Sequence, residues 1–101
     1  MTKPGNSPVA LITGAAVRIG AASARLLHNN GYNIVIHCNQ SISDANLLAK
    51  TLNAQRNDSA CVLQVDLVDT QAVLKLGEDA IAAWERLDVL INNASAFYPT
   101  P

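Results

Sequence analysis

The sequence predicts a doubly wound α/β fold, a parallel sheet in the strand order 3-2-1-4, and three observations point to it. Short apolar runs alternate with amphipathic segments along the chain in a β-α-β-α-β-α-β pattern without a fixed-period repeat. The first run, VALIT, is continuously apolar, as in a strand covered on both faces of a parallel sheet. The segments between them are long enough for right-handed helical crossovers, which leaves few topologies. If the winding reverses after the third strand, a crevice opens at the switch point beyond the carboxyl ends of strands one and four.

Val9 to Thr13 (VALIT), closed by Gly14, reads as the first strand. Ile19, Ala22, Leu26 and Leu27 then recur at i, i+3, i+7 and i+8 and predict the buried stripe of a first helix, which stops at Gly31 after Asn29 and Asn30. Tyr32 to Cys38 (YNIVIHC) is the second strand. Ala45, Leu48, Ala49 and Leu52 stripe a second helix after a cap at Ser41 or Ser43. Cys61 to Val65 (CVLQV) is the third strand, followed by Asp66 and a helix capped by Asp69 whose inner face carries Val73, Leu76, Ala80, Trp84 and Leu87. Val89 to Ile91 forms a short fourth strand that stops at Asn92, and the two prolines of AFYPTP keep the tail extended or turned.

At 101 residues the chain has room for one domain or part of one, and a composition 50% hydrophobic and 15% charged is built to bury a core. The net charge of −1, without a run of like charge, supplies no bulk attraction to nucleic acid or to an anionic membrane, so any phosphate binding must be local. Cys38 and Cys61 have no CxxC spacing and no Cys/His cluster around them, which argues for buried reduced thiols and against a disulfide scaffold or a metal site. The amino-terminal apolar stretch is short and runs straight into a glycine turn, a poor secretory signal, and no apolar run approaches membrane-spanning length. These features predict a cytoplasmic protein.

Everything unusual falls at the carboxyl ends of the strands. Thr13-Gly14-Ala15-Ala16-Val17-Arg18-Ile19-Gly20 joins the first strand to the first helix, where backbone N–H groups and the helix dipole can hold a diphosphate; Gly14 permits the sharp turn and Gly20 a close helix-to-sheet approach. About 20 residues past such glycines, NAD-preferring proteins of this architecture place an acid, whereas a 2′-phosphate wants Arg and polar donors. This chain reads His37-Cys38-Asn39-Gln40-Ser41 there, with no carboxylate, and Arg18 stands within reach in the glycine turn, which favours NADPH over NADH. Asp66, with the backbone of Leu67, can bind an adenine edge; Asn93, Ala94 and Ser95 supply amides and small residues beside the glycine turn for a cofactor lying along the crevice. The bland alternatives are a solvated Arg18, helix caps at Ser41 and Asp66, and a polar turn after the fourth strand.

With these stations in place, the sequence resembles the short-chain dehydrogenase/reductase family, marked by a TGxxxGxG turn, an Asp-Leu after the third strand and an NNAG after the fourth. Arg18 in place of the middle glycine, Ser95 in place of the last one and the run NNASAFYPTP look like the pteridine reductase branch, as does the stretch from His37 to Ser41, in which Gln40 stands where a basic residue is common. The resemblance implies a Rossmann-type, NADPH-binding domain of which residues 1–101 are the amino-terminal part, lacking the later strands and helices of the full fold. It also implies that Phe97 stacks on a pterin ring, that Arg18 and Ser95 hydrogen-bond the pterin or nearby phosphates, and that hydride passes from NADPH to a pterin or dihydropterin C=N bond.

The family's proton donor, a Tyr followed four residues later by Lys, has no counterpart: Ile36 stands at that spacing after Tyr32, and only three residues follow Tyr98. The chain is therefore expected to carry no catalytic residue of that type and to be inactive alone. An open fourth-strand edge and a sheet face covered by one helix predict a homo-oligomer or a complementing chain as partner. Two other readings stay open: a different short-chain reductase, of the 3-oxoacyl type, and a non-catalytic nucleotide-binding or interaction module.

Overall fold

The computed structural model describes residues 7–93. The elements follow in the expected order: β1 (Val9–Thr13), α1 (Arg18–Asn29), β2 (Asn33–Cys38), α2 (Ile42–Gln55), β3 (Ala60–Gln64), α3 (Thr70–Trp84) and β4 (Val89–Asn92). All pairings are parallel and the sheet order is β3-β2-β1-β4, so the winding does reverse after β3. The central strands β1 and β2 are buried at every position, which explains the apolar run of β1 and the apolar centre Ile34-Val35-Ile36 of β2, while the edge strand β4 alternates half-buried and exposed residues.

Two cores flank the sheet. On one face Ile12, Ile34 and Ile36 meet Ala24 of α1 and Leu48 and Leu52 of α2; on the other Val9, Leu11 and Val35 meet Leu76, Ala80 and Trp84 of α3. The stripe expected on α2 is the one buried, Ala45, Leu48, Ala49 and Leu52. On α3 the same holds for Leu76, Ala80 and Trp84, whereas Val73 lies exposed at the amino-terminal turn. Asp69 caps α3 as expected, accepting the Ala72 N–H at 2.8 Å.

The stripe expected on α1 is corrected. Gly20, Ala21, Ala24 and His28 form its buried face, Ile19 is 73% and Leu26 64% exposed, and only Leu27 of the expected set packs partly against the core. Side-chain size decides the matter. α1 lies so close to the turn after β1 that a Cβ on Gly20 would sit 2.2 Å from the Gly14 carbonyl oxygen and 2.8 Å from the Ala15 Cα, and only small residues fit that approach. Cys38 is buried and Cys61 half-buried; both thiols are free, and burial holds both in the protonated form, pushing Cys61 up to about 11.

The amino end of the sheet is locked by side chains. The Asn53 Oδ1 accepts the Ser59 and Ala60 N–H groups at 2.8 and 2.9 Å, and Asn53 Nδ2 donates to the Ala60 carbonyl at 2.9 Å. Arg56 reaches back to the carbonyls of His28 and Tyr32 at 3.0 and 2.6 Å, closing the carboxyl end of α1. Asp88 accepts the Val9 N–H at 2.8 Å and a forked contact from Arg86, which fixes the entry to β4 beside that to β1 and holds the carboxyl below its usual range. Among the described residues no helix is long and apolar enough to cross a membrane.

Candidate cofactor site

At the opposite end of the sheet a cleft of about 700 Å³ opens beyond β1, β2 and β4. The glycine turn forms its floor. Gly14 adopts φ 62, which a residue with a Cβ resists, and the chain then passes through Ala15 and Ala16 into α1. Arg18 has φ 56, a left-handed conformation in a residue with a long side chain, and this is the position at which the resemblance expects a glycine. The turn takes up this conformation with arginine in it, at the expense of local strain, and the exposed Arg18 lines the cleft.

Of the residues expected to bind the cofactor, Gly14, Arg18, Ile19 and Gly20 line the cleft from the turn. His37, Asn39, Gln40 and Ser41 line it from the end of β2, and Asn93 from the end of β4. Asp66 stands beside it, its Oδ1 accepting a hydrogen bond from Asn39 Nδ2 at 3.3 Å. The Leu67 side chain packs instead into the α3-side core, which leaves its backbone for any contact. Ala94, Ser95 and Phe97 lie outside the described residues.

The electrostatics favour an anion. The amino-terminal ends of α1 and α2 both open onto the cleft, each with first-turn N–H groups lacking intrahelical partners and with the positive end of its dipole. Arg18 adds a positive charge, and among the described residues no carboxylate lines the cleft. Ser41 occupies the N-cap position of α2 without making a side-chain cap, so its hydroxyl is available to a ligand. Asn93 Nδ2 is buried and has no hydrogen-bond partner among the described residues, an expensive state that a bound acceptor would relieve. Turn, helix ends, open hydroxyl and orphaned amide together fit a phosphate-bearing nucleotide.

His37 works differently from the expectation of a direct ligand. The ring is 2% exposed; Nδ1 accepts the Gly14 N–H at 3.1 Å and Nε2 lies 2.8 Å from the Val65 carbonyl oxygen. Because Gly14 must donate, Nδ1 carries the lone pair and Nε2 the proton, a neutral ring with both nitrogens engaged. Burial holds its pKa below the ordinary imidazole value, with the Val65 bond opposing in part. Thr13 has a role that its place in the turn does not announce. Its hydroxyl donates to Asn92 Oδ1 at 2.7 Å and accepts the Asn93 N–H at 2.9 Å, which sets the end of β4 against the turn. The partners are about 80 residues away in sequence, and nothing in the local pattern announces the pairing.

The family described as short chain dehydrogenase matches residues 8–100. Over its whole length the chain is 41% identical to pteridine reductase 1 of Leishmania tarentolae, of which it covers 41%. It is 37% identical, over 85% of its length, to tropinone reductase-like 2 of Erythroxylum coca, and 31% identical over the same share to versicolorin reductase 1 of Dothistroma septosporum, covering 30% and 32% of those proteins. The chain thus spans about two fifths or less of the length of these relatives.

Proposed function

The chain belongs to the short-chain dehydrogenase family, and from that premise we propose that it is the nucleotide-binding portion of an NADPH-dependent reductase acting on a pterin or dihydropterin. The observation that carries the reading is the cleft itself, a glycine turn and two helix amino termini converging on one space with Arg18 and, among the described residues, without a carboxylate. The likeness to a pteridine reductase supports the substrate class, and relatives named for other reductions match the chain at lower identity.

In this reading each residue does a physical job. The free N–H groups at the head of α1 bind the diphosphate, which Gly20 allows to sit close to the sheet. Arg18, Ser41, Asn39 and Gln40 give the 2′-phosphate a charged fork and neutral donors, and the missing acid at the end of β2 spares it repulsion. Asp66 and the Leu67 backbone hold the adenine edge, with Asn39 orienting the Asp66 carboxylate. Asn93 Nδ2 donates to the nicotinamide side of the cofactor, with Ala94 and Ser95 following, and Phe97 together with Arg18 and Ser95 receives the pterin. Ile19 and the half-exposed Val17 offer apolar surface for a flat ring to cover. The cofactor, once bound, supplies the hydride. We assign the chain no proton donor, so alone it binds nucleotide without turnover.

Calorimetric titration tests this. NADPH should bind at least about tenfold more tightly than NADH, as one charge-assisted contact set provides, and dihydropterin should not be turned over. Equal or tighter NADH binding would overturn the cofactor assignment, and robust NADPH oxidation by this polypeptide would overturn its incompleteness.

A further inference from the structure

We propose that His37 is a positioning residue of the glycine turn, a neutral strut that ties the Gly14 N–H to the Val65 carbonyl, so that uptake of a proton loosens the turn and weakens nucleotide binding. The inference rests on the nucleotide reading of the cleft for its second half only.

The first two N–H groups of the turn both end on this one residue. Gly14 donates to the His37 ring at 3.1 Å, and Ala15 donates to the His37 backbone carbonyl at 3.0 Å. The other side of the ring bonds Val65, just past β3, so a single imidazole spans the exits of β1, β2 and β3. No ligand can use the Gly14 and Ala15 N–H groups while these bonds stand, and phosphate contacts fall to the N–H groups at the head of α1. The ring therefore fixes where those groups point.

Protonation puts a second N–H at Nδ1, facing the Gly14 N–H. Two donors cannot share that 3.1 Å contact, so the turn must move away or the ring must swing and leave Val65. The surroundings resist this at neutral pH. Arg18 and the α1 dipole lie on the turn side, and Cys38, beside it on β2, stays an uncharged thiol. Asp66, after β3, bonds Asn39; on α3, Lys75 and Asp79 pair with each other at the surface, and Glu78 is exposed. Burial alone already holds the ring neutral near pH 7.

The test uses the full chain, its H37Q and H37L variants, and two readouts: two-bond ¹H–¹⁵N spectra of the ring with the Gly14 amide signal, and NADPH affinity by calorimetry between about pH 5.5 and 7.5. At the upper pH the ring should carry its proton on Nε2, and the Gly14 signal should follow the ring's titration. NADPH affinity should fall on acidification, the part that belongs to the ring staying below about tenfold because its pKa lies under the ordinary value. Gln can accept at one atom and donate at the other, so H37Q should bind within about threefold of the parent and lose only the part of the pH dependence that is not the nucleotide's own, its phosphate titrating near pH 6. H37L should bind at least about tenfold more weakly at every pH; if it does not fold, H37Q and the ring spectra decide. An Nδ1–H tautomer at neutral pH, a Gly14 signal indifferent to the titration, or an unchanged acid loss in H37Q would overturn the proposal. Absence of NADPH binding with Gly14 still tracking the ring would overturn the nucleotide reading and uphold the strut.

Discussion

The two ends of the sheet each bury a histidine, and they use it in opposite ways. At the amino end His28 Nε2 meets the Ser59 hydroxyl at 2.7 Å, the Ser59 hydroxyl donates a hydrogen bond to the Arg56 carbonyl, and Asn53 and Arg56 satisfy the backbone around them. At the carboxyl end His37 engages the glycine turn, yet around it stand a strained Arg18, an Asn93 side-chain nitrogen unpartnered among the described residues and a 73% exposed Ile19. One end spends its polar groups on itself. The other holds them open, which is the pattern expected where a ligand completes the structure.

The largest effect should come from breaking the open end at its tightest contact. A Cβ at Gly20 meets backbone atoms at 2.2 and 2.8 Å, so neither neighbour can rotate aside. Gly20→Ala should abolish NADPH binding and destabilise the chain by about 3 kcal/mol in chemical denaturation. Gly77 of α3 has nothing within 4 Å of such a Cβ, and Gly77→Ala should stabilise by about 0.5–1 kcal/mol. A Gly20→Ala chain that binds NADPH normally would show that the close α1 approach is not part of the site.

The closed end breaks differently. Asn53→Ala removes an acceptor shared by two N–H groups and a donor to the Ala60 carbonyl. Stability should fall by about 2 kcal/mol, because those part-buried groups lose their partners, while calorimetry on the folded protein finds NADPH affinity unchanged. A fall in affinity would mean that the two ends are mechanically coupled.

Acid should strike both histidines. Burial lowers the pKa of each below the ordinary value of about 6.5, with the Arg56 charge adding to the effect at His28. The unfolded chain therefore binds more protons between the folded and unfolded values. Stability is fully present above about pH 6.5 and is lost as pH falls through the folded values. Denaturation midpoints at pH 5 and 8 should differ in that sense, and His28→Gln should reduce the difference without altering the His37-dependent change at Gly14. A midpoint that rises on acidification would contradict the sign.

How legible each end was in the sequence follows from the range of the forces involved. The strands, the α2 stripe and the Asp69 cap were readable because continuous apolarity, 3.6-residue periodicity and an N-cap act locally. The crevice at the switch point was readable too, since connectivity fixes it. The α1 face was not, because hydrophobicity points to Ile19 and Leu26 while close packing selects Gly20, Ala21 and Ala24. Nor was the work of His37, Thr13 and Asn53, whose polar side chains are satisfied by backbone atoms brought near only by the fold. Spacing shows which residues reach the cleft, and the hydrogen-bond partners show which of them are free to bind.

The smallest effect gives the finest comparison, because the same backbone strain occurs in both kinds of region. Arg18 at φ 56 heads α1 over the cleft, and Glu85 at φ 61 closes α3 far from it in sequence and beside the locked amino end of β4. Glycine relieves a left-handed residue of about 1 kcal/mol, offset in part by the freer unfolded chain, so each substitution should stabilise the fold by a few tenths to about 1 kcal/mol. Glu85→Gly should do only that, since a left-handed helix end is a stop signal that any chain can use. Arg18→Gly should gain the same stability and lose about tenfold in NADPH affinity, because the guanidinium goes with the strain. Strain kept where glycine would be easier is then explained by what the side chain does. If Arg18→Gly binds NADPH as well as the parent chain, the strain at the turn is as incidental as that at Glu85, and the cleft holds its anion by the helix ends alone.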